Sequence, residues 1–496
     1  MKFHVVTKYP GKLDAIVARV IEGEKKVSSP LTKALDQKLG GAIKQELERR
    51  KYKTKAGQTF VVHAHGKLPA SHVIVLVVNR APWKTDHYRR SSAELVKAAR
   101  SHHLYRIGDD RSGKVYDQET LAAITEGALL GDYAFNRHRS NHRRTEIEYF
   151  LLPGRNKRGD LERGLSRGRI TAEAQILARD LANEPPSHLT PKQLAKEARA
   201  VARKHGLGIS VLGPAEMRRA GLGAILAVAK GSDEPPQLIK LTYRPRGGAS
   251  GGRKKPKHVV LVGKSVTYDS GGINIKPSRG GSLESMKLDM SGGAAVLGAM
   301  SALKRLGVKH AVTGYLPATE NLLGGSAYKP GDVVKTFNGK TIEVGNTDAE
   351  GRLTLADALA YAVAKDKPDE IIDLATLTAT DISLGPSYAA IFSTKAALEN
   401  RLEESGQRTG EKVWPLPFPS EYDDMTKSEV ADFSNVVSGR AYTLSGPLLL
   451  KHFVGKTPWV HLDIGGPAEA EKDSGYVKKG GSGFGTRLLL EYLSNG

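Results

Sequence analysis

The sequence predicts an α/β protein of two domains, a small α/β N-terminal domain and a larger C-terminal domain with a mainly parallel central sheet flanked by helices. Three observations lead there. At 496 residues the chain exceeds what one ordinary hydrophobic core serves. Short, nearly continuous apolar runs alternate with helical stretches, as in a sheet covered on both faces. Between them, "GRNKRGDLERGLSRGR" (154–169) turns to Gly, Arg and Lys without apolar periodicity, which marks a linker. The expected division is therefore 1–152, a basic N-terminal α/β domain; 153–170, a linker; and 171–496, the second domain.

Taken in order, the first part supplies strand-like "FVVHA" and "HVIVLVV" and helical "SSAELVKAARSHH" and "QETLAAITEGALLGDYAF". A helix is expected from near Thr171 until the Pro185–Pro186 pair stops it. The next has Thr190 as N-cap, Pro191 at its first position and Gly206 as its stop. After a loop, "PRGGASGGRKKPK", come the apolar runs "HVVLVG" (258–263), "HAVTGYLP" (310–317), "EIIDLATLT" (370–378) and "WVHLDIGG" (459–466). The stretches "GGAAVLGAMSALKRLG", "LTLADALAYAVAKDK" and "GTRLLLEYLS" read as the helices between and after them. In such sheets ligands gather beyond the carboxyl ends of the strands.

Composition narrows the chemistry. The chain has no cysteine, which removes disulfides, thiolate nucleophiles and sulfur-ligated zinc, so any metal needs O or N ligands. The longest apolar run, "HVIVLVV" (72–78), is far short of the roughly 18 residues of a membrane span. The start, "MKFHVVTKYPGKLDAIV", lacks the apolar core of a secretory signal, and a cytoplasmic location is expected. The formal charge of +22 is concentrated at the front: residues 1–170 hold 34 Lys+Arg against 18 Asp+Glu, and the remainder 41 against 35. Such a surplus attracts polyanions, so nucleic-acid binding stands beside the plainer reading of a solvated basic face.

"VGNTDAEGRL" (344–353) places Asp348, Glu350 and Arg352 two residues apart. In an extended segment all three side chains would share a face, and two carboxylates aimed at one point repel unless a proton or cation lies between them. The glycine-rich stretch after "HVVLVG" contributes Lys264, Asp269, Lys276 and Asp289. Its "VGKS" is not a phosphate-binding loop, because His258 stands where that motif needs Gly. Four carboxylates and an amine are a donor set for two divalent cations, Mn, Mg, Co or Zn, which activate a water and polarise a carbonyl or phosphoryl oxygen. Lys276 or Arg352 would stabilise the resulting oxyanion.

These segments resemble the leucyl aminopeptidase (cytosol aminopeptidase) family of dinuclear metallopeptidases. "NTDAEGRL" matches that family's signature letter for letter, and "VGKSVTYDSGG", "NIKPS", "MKLDMSGGAA", "ARDLANEPPSHLTP", "YKPGDVV" and "PWVHLDI" are similar to its segments from about 171 onward. Nearer the start, "EGALLGDYAF" is the best match. The resemblance implies an aminopeptidase that removes large apolar, leucine-like first residues by means of a metal-bridging water. It implies Asp269 and Glu350 as bridging carboxylates, Asp348 as a ligand of the more exchangeable metal, and Lys264 and Asp289 as ligands of the tighter one. Lys276 resembles the catalytic lysine that binds the substrate carbonyl, and Arg352 the arginine that holds bicarbonate as general base. Met286, Thr376 and Leu377 resemble parts of the pocket for the first side chain. Two metal ions (Mn or Zn, with Mg or Co as options), a homohexamer of two stacked trimers and peptide substrates are further implications.

The sequence also departs from the family pattern. The segment from Lys276 to Asp289 is slightly longer, Ser265 and Ala379 stand where Gly is usual, and "SGRAYTLSGPLLL" differs from the usual small-residue segment. One extra methyl in a pocket changes selectivity by about 1 kcal/mol or more. Two alternatives stay open on the residues alone: a protein that primarily binds nucleic acid, and a two-metal phosphoester hydrolase.

Overall fold

The structure is a computed structural model that describes the chain except residues 26, 81–82, 112–114, 142–143, 153, 155–156, 246–255, 279–281, 438–440 and 496. Most of the loop "PRGGASGGRKKPK" and the start of "SGRAYTLSGPLLL" therefore lie outside the described residues. Two compact units are present: Met1–Glu173 with Lys472–Lys478, and Ala174–Glu471 with Lys479–Gly496.

The first unit is built on six strands, β1 (Lys2–Val5), β2 (Leu13–Ile21), β3 (Thr59–His63), β4 (Ala70–Val78), β5 (Arg106–Asp110) and β6 (Glu148–Leu152). Their order is β1-β6-β5-β2-β4-β3, parallel except for the antiparallel edge pair β3–β4. The unbroken apolar character of β4 follows from cover on both faces. Val73, Val75 and Val77 pack with α1 (Pro30–Lys38) and α2 (Ala42–Arg49) through Leu35, Ile43 and Leu47. Ile74, Leu76 and Val78 pack with α3 (Thr85–Ser101) and α4 (Gln118–Asp132) through Leu95, Val96 and Leu121. The segment Lys472–Lys478 joins this unit through Tyr476, whose hydroxyl donates to Asp86 at 2.8 Å beneath Arg89 and Arg90.

One expectation is corrected here. The helix predicted to begin near Thr171 is α5 (Arg158–Asn183), so most of the segment read as a linker is helical. The physical reason is that its contact is made by glycine. A Cβ at Gly168 would lie 2.3 Å from the Ala122 carbonyl, and one at Gly164 would lie 2.6 Å from Leu121 Cβ. Backbone approaching backbone leaves no apolar stripe to read.

In the second unit, α6 (Pro191–His205) has the predicted caps: Thr190 accepts from the Gln193 amide, and Gly206 is left-handed at φ +67°. The main sheet contains β7 (Gly208–Leu212), β8 (Gln237–Tyr243), β9 (His258–Gly263), β10 (Ser265–Asp269), β11 (Ala311–Asn321), β12 (Glu370–Ala375), β13 (Ala389–Ser393), β14 (Val413–Pro415) and β15 (Trp459–Asp463). The order is β14-β13-β15-β12-β9-β11-β8-β7, with β10 added to β11. Its centre, β15-β12-β9-β11, is parallel, while β7–β8, β8–β11 and β13–β15 are antiparallel. The helices α7 (Ser291–Leu306) and α8 (Gly351–Asp366) lie between strands of this sheet in the chain. Lys264, Asp269, Thr376 and Asp463 all stand at or just past the carboxyl ends of strands, where an open α/β sheet leaves its crevice.

Candidate metal centre and active site

The Lys264 ammonium is buried and lies 2.7 Å from Asp289, 2.8 Å from Glu350 and 2.9 Å from the Thr376 carbonyl. Lys276 lies 2.9 Å from Asp269 and 2.6 Å from Asp348. The two lysines thus interleave four carboxylates. Ligand oxygens of Asp269, Asp348 and Glu350 all come within 4.8 Å of one another. Asp269 is held from its other side by Asn321 at 2.8 Å and the Gly271 amide at 2.9 Å, while the Thr376 hydroxyl donates to Asp289 at 2.7 Å.

The route to this convergence differs from the expectation of an extended, one-faced run at 348–352. Glu350 has helical backbone angles, φ −73° and ψ −34°, and α8 begins at Gly351. On a helix, residues two apart point to different sides. The Arg352 guanidinium is anchored on another element, donating to the Asn435 carbonyl at 2.7 Å and to Ser445 Oγ at 3.0 Å, while Glu350 and Asp348 still act on its charge. Asp348 and Glu350 still meet because Asp348 lies in the turn before the helix.

Electrostatics register the crowding. Burial, with Glu350 alongside, pushes the Asp269 carboxyl up to about 6. Burial also raises Asp289 well above the ordinary range and raises Asp348 against the pull of Lys276. At Glu350 burial is outweighed by Lys264 and Lys276, and the carboxyl is lowered. Both lysines are held above their ordinary value, the surrounding acids outweighing burial. Burial lowers Arg352. More negative charge is packed here than two ammonium groups comfortably neutralise.

The residues fit divalent cations. Glu350 Oε2 and Asp289 Oδ2 are buried and accept no hydrogen bond among the described residues, although buried carboxylate oxygens are normally satisfied. The donor set is oxygen-rich, with one amine that becomes a nitrogen ligand on losing its proton. Arg352 Nε is likewise buried without a hydrogen-bond partner, a free donor for an anion.

Beside the cluster lies a cavity of about 260 Å³ whose wall includes Lys264, Asp269, Lys276, Asp289 and Asp348. Met286, Thr376 and Leu377 also line it, together with Ala379. Glu350 and Arg352 lie behind that wall, 1% and 3% exposed.

Similarity to known proteins agrees with this geometry. Residues 176–490 match the model of the cytosol aminopeptidase family catalytic domain, and 16–142 match that family's N-terminal domain. The chain belongs to the cytosol aminopeptidase family. It is 38% identical to a probable cytosol aminopeptidase of Alkaliphilus metalliredigens, covering 99% of each chain, and 41% identical to one of Aquifex aeolicus, covering 98% and 96%. Among solved structures it is similar to a mutant of tomato leucine aminopeptidase, with a TM-score of 0.88 and 30% identity over 100% of this chain and 97% of that one. It is also similar to the bottromycin maturation enzyme BotP in complex with Mn, with a TM-score of 0.84 and 32% identity over 97% and 99%. The chain is therefore a metal-dependent aminopeptidase of a dinuclear family, acting on peptides. Among the described residues no helix is long and apolar enough to cross a membrane.

Sequence reasoning missed several contributors. Asn321, at the carboxyl end of β11, holds Asp269 and was findable as a polar residue ending an apolar strand. Asp463 is fully buried and accepts from the Leu377 amide at 3.2 Å and the Thr378 amide at 3.0 Å, clamping the cavity wall. Ser265, already singled out in the sequence, donates to the Gly263 carbonyl at 2.8 Å. Its room comes from Gly293, where a Cβ would lie 2.1 Å from Ser265 Oγ. Part of the Lys276–Asp289 segment, residues 279–281, lies outside the described residues.

Proposed function

We propose that this aminopeptidase releases large apolar first residues, leucine among them, from peptides in the cytoplasm. The observation that carries the reading is the convergence of Lys264, Asp269, Asp289, Asp348 and Glu350 beside a cavity that Met286, Thr376 and Leu377 line. In this reading those five residues hold two divalent ions, Mn or Zn with Mg or Co as options. When bound, such ions supply Lewis acidity and lower the pKa of water.

The chain's own residues do the rest. Lys276, between Asp269 and Asp348, donates to the substrate carbonyl oxygen as negative charge develops there. Thr376 braces both Lys264 and Asp289, fixing the cluster against the pocket. The free Nε–H of Arg352 is the donor for bicarbonate, which would supply a general base. Met286 and Leu377 give the first side chain an apolar wall, and the Ala379 methyl narrows it.

The test is hydrolysis of leucyl p-nitroanilide by the purified chain: loss on chelation and recovery with Mn or Zn are expected. Turnover that ignores chelation sinks the reading. p-Nitrophenyl phosphate run in parallel addresses the phosphoester alternative, which predicts turnover of that ester. Light scattering checks the homohexamer. The basic surplus of residues 1–170 supports a second reading, nucleic-acid binding added to catalysis. A gel shift whose affinity falls steeply with salt is its expected sign, and no shift at low salt leaves the surplus as a solvated face.

A further inference from the structure

The cavity wall carries more acid than the metal cluster uses. Asp269, Asp289 and Asp348 are engaged with Lys264 and Lys276. Asp381 and Glu469 also line the cavity. Glu469 accepts from the Ser285 hydroxyl and has the positive charges of Lys287 and Lys479 near it, so its charge is already answered. Asp381, in the first turn of the short helix Thr380–Leu384, is exposed, and its carboxylate has no partner among the described residues.

The placement of Asp381 is built in. Asp463 clamps the Leu377 and Thr378 amides and the Thr378 hydroxyl, at 3.2, 3.0 and 2.6 Å. Two residues later the Thr380 hydroxyl accepts from the Gly466 amide at 3.1 Å. The strip running from apolar Leu377 to acidic Asp381 is therefore anchored at three successive points, a preorganised wall with one greasy and one charged end.

We propose that this wall selects long basic first residues, lysine and arginine, as well as leucine. The aliphatic stem lies on Met286, Leu288 and Leu377, and the terminal cation meets Asp381. Lysine and arginine side chains suit such a surface because stem and head want different surroundings. An acidic first residue would set its carboxylate against that of Asp381 and is disfavoured. Leucine fills the apolar part and ignores the rest. This proposal rests on the aminopeptidase reading above and names a substrate class for the same cavity.

The experiment compares kcat/KM of the metal-loaded full chain on lysyl, arginyl, leucyl and glutamyl p-nitroanilides, for wild type, Asp381→Asn and Asp381→Lys. Wild type should cleave the lysyl and arginyl substrates at rates comparable to leucyl, with glutamyl poorest. Asp381→Asn should lower the lysyl-to-leucyl ratio about five-fold, the effect expected of a solvent-exposed ion pair, and added salt should shrink the wild-type ratio. Asp381→Lys should invert the order of lysyl and glutamyl. Ratios unchanged in both variants overturn the proposal. So does an equal loss on every substrate, which would instead assign Asp381 to the free α-ammonium that all of them share. Absence of leucyl hydrolysis by the wild type would fall on the parent reading instead.

Discussion

The ammonium of Lys276 lies 2.6 Å from the carboxylate of Asp348, and both side chains line the cavity beside the acid cluster. In the proposed mechanism Lys276 acts from there as a donor to developing negative charge. Replacing it with Met should cut kcat by about 10²- to 10³-fold, the cost of losing one preorganised donor. Bound metal, measured by mass spectrometry, should stay near the wild-type amount, since the four carboxylates and Lys264 remain.

Asp348 is the most accessible of the clustered acids, with a side chain 30% exposed. Asp348→Ala should abolish leucyl hydrolysis and lower the metal content while leaving the circular dichroism spectrum and melting temperature close to wild type. Full metal occupancy in the variant would remove Asp348 from the ligand set.

Gly351 opens α8, and a Cβ there would lie 2.6 Å from Lys264 Cε and 2.7 Å from its Nζ. In the interior of a helix Gly→Ala stabilises by about 1 kcal/mol, and the first turn gains less. Here the methyl must instead displace Lys264 from Asp289 and Glu350. Activity should fall at least ten-fold, with weakened metal retention on dialysis, and any gain in melting temperature should not restore it.

Asp86 gives a pH test confined to the first unit. Burial would raise its carboxyl, but Arg89 and Arg90 outweigh burial and hold it at about 2, below the ordinary 3.8. A depressed carboxyl adds stability that is complete above the unfolded value and is lost as pH falls toward the folded one. Melts from pH 2 to 7 should therefore show Asp86→Asn well below wild type above about pH 4, the two converging near pH 2. Parallel curves at all pH values would show that the ionisation of Asp86 contributes nothing.

Much of the second unit was legible because its signals are local. "HVVLVG" forms β9 residue for residue, since a strand covered on both faces must be apolar throughout. Thr190 and Gly206 bound α6 because caps answer backbone groups that every helix leaves unpaired. The four acids and two lysines were legible as residue types placed after strands. The helical 158–170 was not, because glycines buried against Ala122 and Leu121 carry no hydrophobic period. Nor was the turn-to-helix switch at Glu350, where alternation in a short string mimicked a strand.

The sequence by itself determined which chemistry the chain holds: oxygen and amine donors without sulfur, supplied after apolar strands, in a string that matches one peptidase family. Only the tertiary structure decided how those donors meet, Lys264 between Asp289 and Glu350, Lys276 between Asp269 and Asp348, Arg352 anchored on Asn435, and Asp381 left unpaired among the described residues. Residue type sets what a group can bind. Which groups share a few ångströms depends on backbone direction and on contacts between segments far apart in the chain, and no local pattern records those.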